Sequence, residues 1–135
     1  MPHSPLHIAL SKVGDRWTLL VIEVLLSGSR RFGDLQDEVT GIAPNTLSAR
    51  LKALERDGLV VARTYSERPP RFEYTLTAAG KELAGAISLL TAWGSGQSEE
   101  AEAPSHGLCG TPLEVRWYCP TCDRPAEEAE EAWEV

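Results

Sequence analysis

Along the first 94 positions, apolar residues recur at helical spacing in short blocks, and each block stops at Gly, Ser, Thr or Asp. Leu6, Leu10 and Val13 line one side of a helix that Ser4-Pro5 opens and Gly14-Asp15 closes. Asp15 then caps a second helix, about Arg16 to Leu26. That helix is apolar on most sides (Trp17, Leu19, Leu20, Val21, Ile22, Val24, Leu25, Leu26) and belongs in a core or a subunit interface. Ser27-Gly28-Ser29 reads as a turn and Arg30 to Phe32 as a short strand. Gly33 to Val39 reads as a short helix with Leu35 and Val39 inward, and Thr40-Gly41 as the turn after it.

The stretch Ile42 to Thr77 carries the strongest pattern: a helix, a sharp stop and a two-stranded hairpin. Pro44 suits a first helical turn, where its missing N–H costs nothing. Leu47, Leu51 and Leu54 make one narrow apolar stripe, with Asn45, Ala49, Lys52 and Arg56 on the opposite face. Gly58 supplies the left-handed cap that ends the helix. Leu59 to Ser66 and Arg71 to Leu76 read as strands joined by a tip of Glu67, Arg68, Pro69 and Pro70. A slim polar and basic helix followed by a hairpin with a basic tip is how a winged helix-turn-helix grips DNA. The expected fold is mainly α, within the α+β class.

Thr77 reads as the N-cap of a final helix, Ala78 to Trp93, with Leu83, Ile87 and Leu90 in register. Ala86, Leu89 and Trp93 widen its apolar surface beyond what a small core needs, which points to a dimer seam. The organisation expected is a winged-helix DNA-binding and dimerisation domain over residues 1–94 and a linker over 95–105. A compact Cys/His extension over 106–125 and an acidic tail over 126–135 follow. No internal repeat stands out.

The formal net charge of −7 argues at first against nucleic acid, but its distribution reverses the argument. Residues 1–94 hold 11 Lys/Arg against 10 Asp/Glu, whereas residues 95–135 hold 2 against 10. The acidity belongs to the tail. Arg30, Arg31, Arg50, Lys52, Arg63, Arg68 and Arg71 cluster on the expected DNA face as a modest basic patch. No run approaches the roughly 20 apolar residues of a membrane span. The first ten residues do not read as a signal peptide, which places the protein in the cytoplasm.

The first 94 residues resemble the HxlR family of bacterial transcriptional regulators, relatives of the MarR group. Gly14-Asp15-Arg16-Trp17-Thr18-Leu19-Leu20 is similar to the family's opening G-x-[KR]-W-T-L-L, and Arg31-Phe32-Gly33-Asp34-Leu35 to its R-F-x-[ED]-L. Gly41-Ile42, Leu47, Arg50-Leu51, Leu54-Glu55 and Asp57-Gly58-Leu59-Val60 resemble its recognition-helix pattern. Pro69-Pro70-Arg71-Phe72-Glu73-Tyr74-Thr75-Leu76-Thr77 resembles its wing and the strand leaving it. The resemblance implies a homodimer, built by the first and last helices, on a pseudo-palindromic operator in double-stranded DNA. Its two recognition helices would enter successive major grooves roughly 34 Å apart. Many members sense oxidants through a cysteine just before an N-terminal proline. Ser4 stands there in this chain, and a hydroxyl has no thiolate chemistry at neutral pH, so sensing by that route is not expected.

Within this frame Asn45, Thr46 and Ser48 are the candidates for base contact, with helix capping and solvation as the bland alternative. Arg50 either reaches a phosphate or pairs with Glu55 or a neighbouring helix. Lys52 and Arg56 are phosphate contacts or solvated charges. Arg68 and Arg71 flank the wing tip, and Arg31 completes the candidate DNA-binding set. Trp17 reads as a core anchor, and His3 and His7 as ordinary surface residues.

A second constellation is His106-x2-Cys109 followed by Cys119-x2-Cys122. Each pair has the spacing of a zinc knuckle, and Leu113, Val115 and Trp117 alternate between them as in a hairpin joining two knuckles. Three thiolates and one imidazole would close a tetrahedral structural Zn2+ site, a zinc-ribbon-like extension. Three unligated cysteines in a loose tail, or a redox switch that ejects the metal, are the alternatives. An odd cysteine count leaves one thiol over in any disulfide scheme.

The function expected is a sequence-specific DNA-binding regulator, a repressor, with an effector that no residue pattern identifies. The competing reading is a winged-helix protein-interaction module working through its acidic zinc-binding tail. An enzyme is not expected, because no nucleophile–base pair, phosphate loop or paired carboxylates occupy a plausible site.

Overall fold

The computed structural model describes residues 3–126. Helix α1 (Pro5–Val13) opens where the Ser4 hydroxyl accepts the His7 N–H, and it closes on a Gly14 N–H to Leu10 carbonyl bond of 2.8 Å. Only Val13 of its apolar side is buried; Leu6 and Leu10 are exposed. Helix α2 (Thr18–Leu26) begins two residues later than expected. The reason lies in Asp15: its Oδ1 accepts both the Trp17 and Thr18 N–H groups, at 2.9 and 3.0 Å, in a turn that precedes the helix. Strand β1 (Arg30–Arg31) leads directly into α3 (Phe32–Glu38), and a short turn into α4 (Pro44–Arg56).

Helix α4 buries Leu47, Leu51 and Leu54 against Val21, Ile22 and Leu25 of α2 and Leu35 of α3 in one core. Each such side chain contributes about 1.5–3 kcal/mol on leaving water. The helix stops at Gly58, whose φ of +73° is the left-handed cap that a side chain would strain. Strands β2 (Val60–Glu67) and β3 (Pro70–Leu76) then form the wing. The tip is tighter than the sequence suggests, because Glu67 and Pro70 already pair across it and leave only Arg68-Pro69 between the strands. The sheet is antiparallel in the order β1-β3-β2, with Val60 opposite Leu76 buried at its base and an irregularity between Thr64 and Ser66.

The expected final helix is broken. A short α5 (Ala78–Lys81) is followed by α6 (Ala84–Ser95). Gly80 packs on the Leu59 carbonyl, and Leu83 donates to the Gly80 carbonyl in a tightened turn that re-aims the chain. Leu83 and Ile87 thereby reach the core, but Leu90, expected in the same register, is exposed.

The chain divides after Ile87 into two units. In the second, no hairpin strand runs through residues 113–117, contrary to expectation. Two small hairpins form instead, one around each ligand pair. Ser105 bridges to Pro112 in the first, and β4 (Tyr118–Cys119) pairs with β5 (Arg124–Pro125) in the second. Most of the expected acidic tail, residues 127–135, lies outside the described residues. Among the described residues no helix is long and apolar enough to cross a membrane.

Candidate nucleic-acid interface

The side of α4 opposite its leucine stripe presents Asn45, Lys52 and Arg56, all exposed, flanked by half-buried Thr46 and Ser48. These positions follow from the helical period: 45, 49, 52 and 56 fall on one line along the outside. The acid within α4, Glu55, lies close enough to Tyr74 of β3 for its charge to be felt there. Burial, and then the Glu55 charge, push the Tyr74 phenol above its usual value.

Ion pairing sorts the basic residues into two groups. Arg30 is committed to Glu38, at 2.7 Å. Arg50 forms an ion pair with Asp15, Nε 3.1 Å from Oδ1 though outside hydrogen-bond geometry, which links α4 to the turn before α2. Of the roles open to Arg50, the structure shows the pairing with a neighbouring helix. Burial raises the Asp15 pKa, but the Thr18 hydroxyl, the Trp17 and Thr18 N–H groups and Arg50 outweigh it and hold the carboxyl below its ordinary value. Lys52, Arg56, Arg63, Arg68 and Arg71 make no ion pair among the described residues. Their charge is unspent within the fold.

Arg68 stands at the wing tip and Arg71 one residue into β3, opposite Ser66. Arg31 lies with its guanidinium 4.7 Å from the Tyr65 ring centroid, a cation–π contact that the sequence reading missed. A groove of about 450 Å³ runs between α3 and the wing, lined by Arg31, Asp34, Asp37, Tyr65, Arg71 and Phe72. Tyr65 stands two positions after Arg63 on β2, and strand spacing does not say which neighbour an exposed ring meets.

In the second unit, His106 Nδ1 lies 3.3 Å from Cys109 Sγ, and no disulfide joins Cys109, Cys119 and Cys122. The Thr111 hydroxyl, then its N–H, then the His106 ring favour the thiolate of Cys109 and lower its pKa to about 7. The Cys122 N–H, then its side chain, lower that of Cys119. The structure thus pairs His106 with Cys109 and Cys119 with Cys122. Among the described residues no group of three or more His, Cys, Asp or Glu side chains gathers at one point.

A sequence model described as HxlR-like helix-turn-helix matches residues 12–102. The HTH-type transcriptional regulator Rv3095 of Mycobacterium tuberculosis is 42% identical over 118 residues, covering 84% of this chain and 74% of that protein. A match of that length runs past the 94 residues first read as the winged domain. Among solved structures, a MarR-family transcriptional regulator from Enterococcus faecalis V583 superposes with a TM-score of 0.61 at 37% identity, over 72% of this chain and 91% of that one. The reduced form of the transcriptional regulator YodB from B. subtilis does so with a TM-score of 0.61 at 31% identity, over 76% and 100%. The expected winged helix-turn-helix is the fold observed, and the chain belongs to the HxlR-like helix-turn-helix family of transcriptional regulators.

Proposed function

We propose that this protein is a sequence-specific repressor that binds a pseudo-palindromic operator as a homodimer. The observation that carries this reading is the exposed face of α4: Asn45, Lys52 and Arg56 without an acid among them, and cations that the fold does not neutralise. Asn45, Thr46 and Ser48 read base edges. Lys52 and Arg56 hold phosphates on either side, and Arg68 and Arg71 hold the backbone beside the wing. Arg31 supports the wing through Tyr65. Arg50 orients α4 from within rather than touching DNA.

A second copy is the natural occupant of the apolar side chains that α1 and α6 each leave in water. Leu6 and Leu10 are exposed on the first helix; Leu89, Leu90 and Trp93 are exposed on the second, Trp93 by 68%. The relatives do not favour the protein-interaction module.

Fluorescence anisotropy at fixed salt, comparing DNA upstream of the protein's own gene with a shuffled duplex, tests the reading. Preference for the specific duplex by about 10³-fold or more supports it. Asn45→Ala then lowers discrimination between operator variants by about 1–3 kcal/mol. Discrimination unchanged in that variant would remove Asn45 from base readout, and sedimentation as a monomer at assay concentrations would remove the dimer.

A further inference from the structure

In the second unit the two pairs whose spacing reads as knuckles share one form of backbone turn. Residues 105–112 and 118–125 are built alike, thirteen positions apart. Ser105 bridges to Pro112 as Tyr118 pairs with Pro125. Gly110 N–H bonds to the His106 carbonyl at 2.7 Å, as Asp123 N–H bonds to the Cys119 carbonyl at 2.8 Å. The residue after the second sulfur is left-handed in both turns: φ is +72° at Gly110 and +55° at Asp123. A non-glycine residue accepts that conformation only where the turn demands it. In each turn the first donor, His106 or Cys119, ends one arm of a hairpin, and the second, Cys109 or Cys122, lies within the turn.

Two matching turns each present two soft or borderline donors; among the described residues the fold does not gather the two pairs at one point, and a single metal ion would draw them together. We propose that His106, Cys109, Cys119 and Cys122 together bind one structural zinc ion per chain. The donor set is the N/S chemistry that zinc selects, and four protein ligands leave no open position for catalysis.

The packing of this unit supports the same reading. None of the described residues after Ile87 is buried. Leu108 is 92% exposed, and Leu113, Val115, Trp117 and Tyr118 are also in water. A segment this short without an apolar core needs another source of folding free energy, and a metal supplies it directly. Any disulfide within one chain uses two of the three cysteines and leaves one thiol and His106 without a role.

The test uses the full chain, purified under reducing conditions and assayed for zinc by mass spectrometry. The stripped protein is then titrated with zinc alone and, separately, with cobalt as a spectroscopic probe. The expected result is about one zinc per chain and a tetrahedral, thiolate-rich cobalt spectrum. Cys109→Ser and Cys119→Ser should each weaken zinc binding by more than about 100-fold, beyond what loss of an outer partner does. The core around α2 and α4 lies outside this unit, so unchanged DNA binding by the variants shows that the winged-helix unit has folded. A reduced protein that takes up no zinc would overturn the proposal. Full zinc retention by either variant, or an octahedral cobalt spectrum, would do the same.

Discussion

Replacing Gly80 with Ala tests the packing that sets the base of the wing. In an unencumbered helix the change is favourable by up to about 1 kcal/mol. At Gly80 it is not, because an added Cβ meets the Leu59 carbonyl oxygen at 2.2 Å and Leu76 Cδ2 at 2.9 Å. That carbonyl is not free to retreat, since it accepts the Thr77 N–H at 3.0 Å. Overpacking against fixed atoms costs about 1–3 kcal/mol. Moving the carbonyl away sacrifices a hydrogen bond worth about 1 kcal/mol. Set against the propensity gain, Gly80→Ala should destabilise by about 1–3 kcal/mol. Gly85→Ala is the matched control, a helical glycine with nothing within 4 Å of its added Cβ. It should be neutral or stabilising by up to about 1 kcal/mol. Urea unfolding followed by tryptophan fluorescence measures both. Equal stability of the two variants would refute the steric argument, because it would mean that the contact with Leu59 relaxes without cost.

Asp15→Ala should destabilise by about 0.5–2 kcal/mol through loss of the carboxylate that accepts the Trp17 and Thr18 N–H groups at the entry to α2. The folded pKa of Asp15 is lowered, so its charged form contributes stability that is present above about pH 4 and lost as the pH falls through the folded value. Asp15→Asn should therefore show a shallower loss of urea midpoint on acidification than wild type; parallel curves would contradict this. Lys52→Ala should reduce the slope of log affinity against log salt by about 0.9 per lost phosphate contact. Arg50→Ala should leave that slope unchanged and instead lower stability by at most about 1 kcal/mol for a partly exposed pair. A reduced slope in the Arg50 variant would return that residue to the DNA contact.

The sequence was most legible where one local rule decided the outcome. The leucines at 47, 51 and 54 sit at helical spacing, Gly58 stops the helix and Ser4-Pro5 opens α1. Each acts through residues three or four positions away, and each reappears in the structure as read. Legibility failed where a distant backbone intervened. Nothing near Gly80 in the chain announces the Leu59 carbonyl that breaks the last helix, so Leu90 was carried into a register it does not keep. The partner of Arg50 lies 35 positions away, and spacing alone left its choices open. The turns around His106 and Cys119 are legible in their spacing as two knuckles, but the extent of their likeness is not. Their shared residues are few, and the likeness resides in hydrogen bonds and left-handed positions carried by Gly in one copy and Asp in the other.

Thr77 donates its hydroxyl to the Gly58 carbonyl at 2.6 Å and its N–H to the Leu59 carbonyl, while its oxygen accepts the Gly80 N–H. One residue therefore locks the stop of the recognition helix, the root of β2 and the start of α5 to each other. A signal that tilted the wing against the helix would have to break several of these bonds at once. In the proposed dimer, a change in the distance between two stiff reading heads would require no such rupture. If the proposed operator-binding dimer forms, the softest route to its release from DNA would thus be a shift of span, to which DNA with fixed half-site spacing is acutely sensitive.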